Sequence, residues 1–355
     1  MSNLASQDIH AGRGVVLLDP KFDLFNAVTQ HVPRERIDDV VIFDVNDLAR
    51  PLGFNLLTQG SPQTVASEVQ SIFSHIYPSE GAVRMPEVLY HALITLMSTT
   101  AKGAPFTFID MIPLLWPETR EDSIFAKSVV EGVSDPYIKA WWSAHQKLSK
   151  PERDKYLQPL RSRIWQLNSR PEVRNIIGQS ESSINMRDIV DNRKILLVNL
   201  HGLSQESASL IGSSIVNNLW HAVKEGRSSQ ENPVSLYLDE FQHFVHSPIS
   251  PETMLAEARS FGLAMHLAHQ GLDQLAGKRQ LEDAVMNNAV NKVVFQRGLK
   301  DARTFASEFG SPVTDDDMKK LGAYEFMARV ATDSGISPPF TGKTRAEVAP
   351  ENLGR

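Results

Sequence analysis

The 355 residues carry a formal net charge of −6 and are 41% hydrophobic, which is enough apolar material for a large core and about two domains. The absence of cysteine excludes disulfides and thiolate chemistry. The acidic balance excludes nucleic-acid binding through global positive charge, so such a contact would have to be local. No apolar run is long enough to cross a bilayer, and the N-terminus has no signal-peptide pattern.

Residues 1–60 predict the first part of an α/β domain. The apolar run over residues 15–18 predicts a buried strand that ends at Asp19. A helix over residues 22–30 and a second strand over residues 40–43 follow. A strand, a helix and a strand joined by short links predict a right-handed parallel crossover.

Residues 61–190 predict an all-α insertion, because their apolar residues follow the helical period. The predicted helices cover residues 63–76, 86–98, 106–115, 123–130, 137–147 and 151–167. A modest basic cluster near the end of the insertion is either a solvated helix face or a contact for DNA phosphates. Its members are Lys147, Lys150, Arg161, Arg163 and Arg170.

Residues 191–335 return to an α/β pattern, and residues 336–355 are predicted to form an irregular C-terminal tail. The predicted strands cover residues 195–200, 234–238, 263–268, 292–296 and 326–331, with helices between them. The sequence therefore predicts one doubly wound α/β domain with a mostly parallel sheet, interrupted by the all-α insertion.

Two adjacent carboxylates, Asp239 and Glu240, follow the apolar run over residues 234–238. Unpaired charge is costly to bury, and ligand sites of open α/β sheets lie beyond the carboxyl ends of the strands. A strand followed by Asp-Glu is the Walker B arrangement of nucleotide hydrolases, in which Asp239 would hold Mg²⁺ and Glu240 would polarise the attacking water. A strand that ends in a solvated acidic turn gives the same pattern, so the motif alone leaves both readings open.

Four other residues are candidates for the same site. Gln270 ends the strand after the acidic one and could sense a γ-phosphate or orient water, or could cap the next turn. Arg259, on the helix between those strands, could act as an arginine finger in a neighbouring subunit of a ring, or could form a surface salt bridge. Asp19 and Lys21 follow another strand and are expected at the same edge of the sheet.

Two H-x-x-H pairs, His243 with His246 and His266 with His269, raise the question of a zinc site. Residues three apart on a strand point to opposite faces, so His266 and His269 are poorly placed to share one metal. The H-E-x-x-H motif of zinc proteases is absent. The sequence therefore gives little support to metal binding by histidine.

The motifs form one combination when they are taken in chain order. They are residues 14–21 and 53–57, the helical insertion, and then residues 195–199, 236–241, 257–259, 268–275 and 301–302. This order resembles the coupling ATPases of type IV secretion and conjugation, which are RecA-like, ring-forming DNA pumps related to the FtsK and HerA translocases. The resemblance covers almost the whole chain and departs from the family at His269, where the family more often has Thr.

The resemblance implies ATP and Mg²⁺ as cofactors. It implies that Asp239 binds Mg²⁺, that Asp19 and Lys21 lie at the nucleotide, and that Glu240 is catalytic. Gln270 and Arg259 would complete the catalytic set. The resemblance further implies a homo-oligomeric ring, a hexamer in the intact family. DNA, single- or double-stranded, and relaxosome or secretion-channel proteins would be its partners. The expected location is cytoplasmic, at the cytoplasmic face of the inner membrane in the intact family.

The family's P-loop, G-x-x-x-x-G-K-[ST], binds phosphate at a helix N-terminus, and no such motif occurs here. The only Gly-Lys-Thr begins at Gly342; Ser337 stands where the first glycine is required, and no buried strand leads into it. By the resemblance, residues 1–7 correspond to the helix just after the P-loop. We therefore expect an N-terminally truncated motor fragment with weak ATP binding and little hydrolysis alone. A non-catalytic DNA- or substrate-recognition module and another RecA-like NTPase remain as alternatives.

Overall fold

The computed structural model describes residues 1–58, 60–78, 84–101, 103–229, 231–244, 251–275 and 279–345. The strands are β1 (Gly14–Asp19), β2 (Val40–Asp44), β3 (Thr100–Ala101), β4 (Ala104–Pro105), β5 (Ile195–Asn199), β6 (Val234–Leu238), β7 (Leu263–Leu267), β8 (Lys292–Phe295), β9 (Glu325–Arg329), β10 (Ala331–Thr332), β11 (Gly335–Ile336) and β12 (Phe340–Lys343).

The α-helices are α1 (Ser2–His10), α2 (Asp23–Thr29), α3 (Pro62–Ile76), α4 (Met85–Met97), α5 (Met111–Leu115), α6 (Arg120–Gly132), α7 (Pro136–Gln146), α8 (Lys150–Asn168), α9 (Pro171–Ile177), α10 (Met186–Asp191), α11 (Gln205–Glu225), α12 (Pro251–Glu257), α13 (Arg279–Asn288), α14 (Leu299–Phe309) and α15 (Asp315–Lys319). Short 3₁₀ helices cover Arg34–Asp39, Phe108–Asp110, Phe241–His243, Ala258–Phe261 and Leu272–Leu275. Among the described helices, none is long and apolar enough to cross a membrane.

The central sheet consists of five parallel strands in the order β2–β5–β1–β6–β7. Strands β1, β5 and β6 are buried along their whole length, because apolar runs without alternation suit strands that are covered on both faces. Leu17 of β1 lies opposite Leu197 of β5 on one side and Tyr237 of β6 on the other. The predicted α/β fold with a mostly parallel sheet is confirmed.

Helices cover both faces of this sheet. On one face, Ile9 of α1 and Phe25 of α2 pack in one cluster with Leu17 and Tyr237. On the other face, Leu236 and Leu238 of β6 share a larger cluster with the buried side of α11, and that cluster continues into helices of the insertion. The insertion is therefore packed onto the sheet domain through α11.

Between β2 and β5, where the sequence predicted a helical insertion, the described part of the chain forms helices α3 to α10. Within the described part of this segment, a hairpin of the two-residue strands β3 and β4 was not predicted, and the predicted helix over residues 106–115 is the 3₁₀ helix Phe108–Asp110 followed by α5. Prolines lie in the first turn of α3, α7 and α8, where the missing N–H group has no helical partner in any case.

The C-terminal part forms a separate antiparallel sheet in the order β12–β9–β8. Strands β8 and β9 were predicted, but the expectation of an irregular tail from residue 336 is wrong for Phe340–Lys343, because this stretch is strand β12 and pairs with β9. β12 is largely exposed and contains a glycine, so it lacks the apolar pattern by which a strand is recognised.

A buried carboxylate joins the insertion to the sheet domain. Glu68 of α3 accepts a hydrogen bond of 2.7 Å from Asn217 Nδ2 and lies 2.6 Å from His221 Nε2, both on α11. The hydrogen bond to Glu68 raises the pKa of His221; burial and Lys224 oppose the shift, and the charges of Glu68 and Glu225 add to it. The contact is therefore strongest when His221 is protonated.

We expect His221→Gln to lower the melting temperature more at acidic than at alkaline pH. The folded-state pKa of His221 lies above the unfolded value of about 6.5. The contribution of the ion pair is therefore complete below that pH and is lost as the pH rises through the folded-state pKa. Glutamine keeps an amide donor for Glu68 but does not titrate. Thermal unfolding measured from acidic to alkaline pH tests the prediction, and the same substitution at the exposed His10, His10→Gln, is the control. A difference in melting temperature that does not change with pH would contradict it.

Candidate functional site

The carboxyl edge of the central sheet collects polar side chains from all five strands, because parallel strands end at the same edge. In spatial order these residues are Asp44 at the end of β2, Asn199 at the end of β5, Asp19 at the end of β1, Asp239 and Glu240 after β6, and Gln270 beyond β7. The sequence prediction that Asp19 and the acidic pair lie at one edge agrees with this arrangement.

Asp19 organises the turn that follows β1. Its side chain is fully buried. One carboxylate oxygen accepts the backbone N–H of Lys21 at 2.7 Å, and the other accepts that of Phe25 at 2.8 Å. Asp19 thus satisfies a donor in the first turn of α2, as an N-terminal cap does, and it fixes the backbone from which Lys21 projects.

Glu240 is buried, with 4% of its surface exposed, and is held by donors from several directions. Lys21 forms an ion pair with it, and Gln242 Nε2 donates a hydrogen bond of 2.7 Å. Burial acts to raise the pKa of Glu240, but the hydrogen bonds from Lys21, Gln242 and Gln274 and the charge of Lys21 outweigh it, so this pKa is lowered. Glu240 is therefore held as an anion at neutral pH.

The same ion pair acts on Lys21. Burial alone would lower the pKa of the Lys21 ammonium, but the hydrogen bond and charge of Glu240, with the charges of Asp239 and Asp19, raise it. The Lys21 side chain is still 43% exposed. It therefore reaches from the buried carboxylate towards solvent at the carboxyl edge.

Asp239 lies in a different environment from its neighbour. Burial raises the pKa of Asp239; Lys21 opposes this shift, and the charges of Asp19 and Glu240 add to it. The backbone of Glu240 acts to lower this pKa, and the Asp239 N–H donates to Leu18 O at 3.2 Å. The side chain is partly exposed at the edge of the sheet.

The carboxylates of this edge do not form a complete metal site by themselves, but they fit a Mg²⁺ ion that is also bound by a nucleotide. Within the described residues there is no group of three or more His, Cys, Asp or Glu that could hold a metal ion. Mg²⁺ at nucleotide sites commonly takes only one or two carboxylates and completes its shell with water and phosphate oxygens. A single partly exposed Asp239 is compatible with that mode.

Gln270 lies in the turn directly after β7, beside the acidic pair. The neighbouring Phe241 N–H donates to Ala268 O at 3.1 Å, which joins the ends of β6 and β7. The Gln270 backbone N–H donates to Gln274 Oε1 at 2.9 Å, and its carbonyl oxygen accepts Arg297 Nη1 at 2.6 Å. The Gln270 side chain is exposed, so its predicted role as a sensor stays a prediction.

Arg259 is not part of this constellation within one chain. It lies in the 3₁₀ helix Ala258–Phe261, which leads into the first residue of β7. This places it at the amino edge of the sheet, opposite the acidic pair, and its side chain is exposed. Only a neighbouring subunit could use it, so the arginine-finger assignment also stays a prediction.

Two glutamines that the sequence analysis did not single out hold this edge: Gln242 donates to the Glu240 carboxylate, and Gln274 accepts the Gln270 backbone N–H. Gln242 follows the acid by two residues, and Gln274 follows Gln270 by four. Because the turn is followed by a 3₁₀ helix, a residue four positions after Gln270 can place its side chain beside the Gln270 backbone N–H. That spacing was a usable signal for the contact between Gln274 and the Gln270 backbone, whereas the sequence pattern did not mark Gln242 as the partner of Glu240.

The histidines have partners other than a metal. The ring of His266 stacks on Tyr237 at 4.2 Å between centroids. His269 Nδ1 lies 3.0 Å from Gly271 O, as a donor to it. His246 lies outside the described residues. His266 and His269 are therefore each engaged by a different neighbour.

The Gly-Lys-Thr sequence at Gly342 lies at the end of strand β12 and not before a helix, so it does not have the structure of a P-loop. Gly342 lies in β12 opposite Phe326 of β9. A Cβ atom at this glycine would lie 2.5 Å from the Phe326 ring. The glycine therefore serves close packing between strands.

A doubly wound parallel sheet with acids at its carboxyl edge has the RecA-like α/β architecture. Residues 233–320 match the family model described as the TraM recognition site of TraD and TraG. This match and the structural similarities given next confirm the resemblance to the conjugative coupling ATPases. The search of curated proteins found no match.

Solved structures with the same fold include two of plasmid coupling protein TrwB. The complex with ADP and Mg²⁺ is 14% identical, with a TM-score of 0.68 over 99% of this chain and 83% of that chain. The sulphate complex of TrwBdeltaN70 is 15% identical, with a TM-score of 0.66 over 98% and 83%. VirB4 of Thermoanaerobacter pseudethanolicus is 14% identical, with a TM-score of 0.62 over 98% and 85%. At these identities the similarity establishes the fold.

We expect Lys21→Met to lower the free energy of unfolding, because the buried Glu240 would lose its cation. Loss of a partner by a buried polar group costs about 1–3 kcal/mol. Because Lys21 is partly exposed, solvent screens the pair, and we expect a loss of about 1 kcal/mol in the free energy of unfolding. Urea unfolding measures it, and Lys127→Met, which breaks the exposed pair with Glu131, is the control.

The double variant Lys21→Met/Glu240→Gln should recover part of that loss, because a neutral amide needs no cation. Strict additivity of the two single effects would show that Lys21 and Glu240 are not energetically coupled.

Proposed function

We propose that this chain is a motor-domain segment of a DNA-translocating coupling ATPase of type IV secretion or conjugation. The observation that carries the proposal is the placement of Asp239 and Glu240 at the carboxyl edge, with Lys21 and the Gln270 turn beside them. The partly exposed Asp239 suits a metal ligand, and the buried Glu240 next to it suits a residue that orients water. ATP hydrolysis at the interfaces of a ring, a hexamer in this proposal, would drive DNA transfer.

In this proposal each residue has a defined task. Asp239 holds Mg²⁺, and Glu240 orients the attacking water and accepts its proton. Lys21 keeps Glu240 ionised and presents positive charge at the edge where phosphate would lie. Gln270 faces solvent at that edge and contacts the terminal phosphate, while Asp19 fixes the Lys21 turn. Bound Mg²⁺ would neutralise phosphate charge.

The position of Arg259 supports a site shared between subunits. An exposed arginine at the opposite edge of the sheet cannot serve the acids of its own chain, but it can face those of a neighbour in a head-to-tail ring. An arginine supplied in this way would stabilise the negative charge of the transition state.

The phosphate-binding loop is the part of this motor that the 355 residues do not contain. Backbone N–H groups at a helix N-terminus normally supply that function. We therefore propose that this chain alone binds ATP weakly and turns it over little, and that hydrolysis requires a loop from outside this sequence.

The family match motivates the proposed partners. Residues 233–320 resemble a TraM recognition site, so we propose that this part of the chain contacts a relaxosome protein of that type or a secretion-channel protein. DNA, single- or double-stranded, is the proposed substrate. The proposed location is the cytoplasmic face of the inner membrane.

We expect this chain, fused at its N-terminus to the P-loop strand and loop of a coupling ATPase, to show DNA-stimulated ATP hydrolysis. Glu240→Gln in the fusion should lower kcat by about 100-fold or more, as loss of acid–base catalysis typically does, with a smaller change in KM. Asp239→Asn should raise the Mg²⁺ concentration required. Steady-state ATPase assays measure both, with the exposed Glu121→Gln as control. Full activity of the Glu240→Gln fusion would remove the catalytic assignment, and activity that ignores DNA would favour another RecA-like NTPase.

A second function, non-catalytic recognition of DNA by the insertion, is favoured by arginine–aromatic pairs at and around α8. Arg161 over the exposed Trp165 ring combines positive charge with a flat surface on which bases can stack, whereas the Tyr77 ring under Arg163 is buried, so that Arg163 offers charge alone. The Trp165 ring is 44% exposed, and Arg163 is exposed as well. The pairs are Arg84 over Tyr156, Arg161 over Trp165 and Arg163 over Tyr77.

We expect the chain to bind a single-stranded oligonucleotide with an affinity that falls as salt rises, because the contact is with phosphates. Arg163→Gln should weaken binding and reduce the salt slope by about one ion-pair equivalent, whereas Lys127→Gln on α6 should change neither. Fluorescence anisotropy at several salt concentrations measures both quantities. Binding that is independent of salt and of Arg163 would exclude this surface.

A further inference from the structure

Backbone strain marks two positions at the carboxyl edge of the central sheet. Within the described residues, four non-glycine residues have positive φ, and two of them, Phe22 and Glu240, lie just beyond β1 and β6 at this edge. Phe22 has φ 81° and ψ −27°, a left-handed conformation that bulky residues rarely adopt. Residues held in such conformations cluster at ligand sites. Glu240 is already part of the proposed site, so Phe22 is the strained residue whose side chain has no assigned role.

The Phe22 side chain lies where two loops meet, and it is 39% exposed. Its ring centroid lies 5.7 Å from that of the buried Phe25 and 6.3 Å from that of His201. His201 follows β5 and is exposed as well. The two exposed rings therefore form an aromatic surface beside the acidic site, and we call it the Phe22–His201 platform.

The backbone that carries this platform has fixed partners. The His201 N–H donates to Asn199 Oδ1 at 3.0 Å, and the His201 carbonyl oxygen accepts Asn46 Nδ2 at 3.0 Å. The Leu200 N–H donates to Asp19 O at 2.9 Å, which joins the ends of β5 and β1. The two loops are therefore held next to each other by the sheet, and the rings are positioned before any ligand binds.

The charges next to the platform suit a flat ring that is joined to a phosphate. Lys21 precedes Phe22, and its side chain is 43% exposed while it pairs with Glu240. The exposed Asp23 follows Phe22. A nucleobase is neutral, so Asp23 does not oppose stacking, whereas an attached phosphate is attracted by Lys21. Every base has a flat π-face that stacks on aromatic side chains without regard to sequence.

We propose that the Phe22–His201 platform stacks a nucleobase at the carboxyl edge. The proposal deepens the proposed function and rests on it, because that function brings both a nucleotide and DNA to this motor. The base belongs either to the bound nucleotide or to a single strand of DNA, since both present the same flat ring. Phe22 supplies the stacking face, and His201 borders it.

Fluorescence of 2-aminopurine, a base analogue whose emission is quenched by stacking, tests the proposal in this chain. Two probes are titrated separately: 2-aminopurine riboside triphosphate with Mg²⁺, and a single-stranded oligonucleotide that contains 2-aminopurine. We expect quenching of at least one probe. Phe22→Leu keeps an apolar side chain but removes the flat ring, and it should weaken that binding by about fivefold or more. Tyr137→Leu, which removes an exposed ring in the insertion, is the matched control and should change neither titration.

The two probes identify the source of the base. Quenching of the triphosphate that depends on Phe22 assigns the platform to the nucleotide, and quenching of the oligonucleotide that depends on Phe22 assigns it to DNA. If neither probe is quenched, or if Phe22→Leu binds both probes as tightly as the unchanged chain, the proposal is overturned.

Phe22→Gly separates stacking from packing. Glycine adopts a φ of 81° without strain, so we expect this variant to lose the quenching while its melting temperature does not fall. A lower melting temperature with unchanged quenching would show that the ring only packs against Phe25, and would overturn the proposal.

The measurement involves no hydrolysis, so its failure is distinct from failure of the proposed function. Stacking that depends on Phe22, without ATPase activity in the fusion, would reject the proposed function and leave the platform intact. An active fusion, together with quenching that ignores Phe22→Leu, would reject the platform alone.

Discussion

The candidate site depends on one charge pair, the partly exposed Lys21 with the buried Glu240. A carboxylate with 4% of its surface exposed stays ionised only if its lost hydration is replaced by donors and positive charge. Lys21 supplies that charge from the neighbouring strand end, and Asp19 fixes the turn from which Lys21 projects. The parallel pairing of β1 with β6 brings the two strand ends together, so the strand order itself makes the pair possible.

Local pattern was sufficient for the buried strands and for most helices, because an apolar run or a helical period is present in the segment itself. It also located the carboxyl-edge residues one by one, since each follows its strand. The Lys21–Glu240 pair was not predictable, because it joins residues far apart in sequence through the order of strands. β12 was missed for a related reason. It is exposed and lacks an apolar pattern of its own, and its strand conformation depends on pairing with β9.

The insertion and the sheet domain share one continuous hydrophobic cluster through α11. Gly212 of α11 shows how closely the site packs against this helix, because a Cβ atom there would lie 2.4 Å from the ring of Phe244. Phe244 follows the acidic pair by four residues. Helix α11, against which the insertion packs, thus also supports the segment after β6. Because this contact is close-packed, a displacement of α11 would displace that segment as well.

The backbone at Glu240 explains how two adjacent acids reach different environments. Its φ of 50° and ψ of 49° are left-handed, a region that non-glycine residues rarely occupy. In an extended strand, neighbouring side chains point to opposite faces; the left-handed residue instead ends the strand and lets Glu240 turn inward to Lys21 while Asp239 stays at the partly exposed edge. Glycine at this position would relieve the backbone strain, but it would remove the carboxylate and with it the ion pair to Lys21.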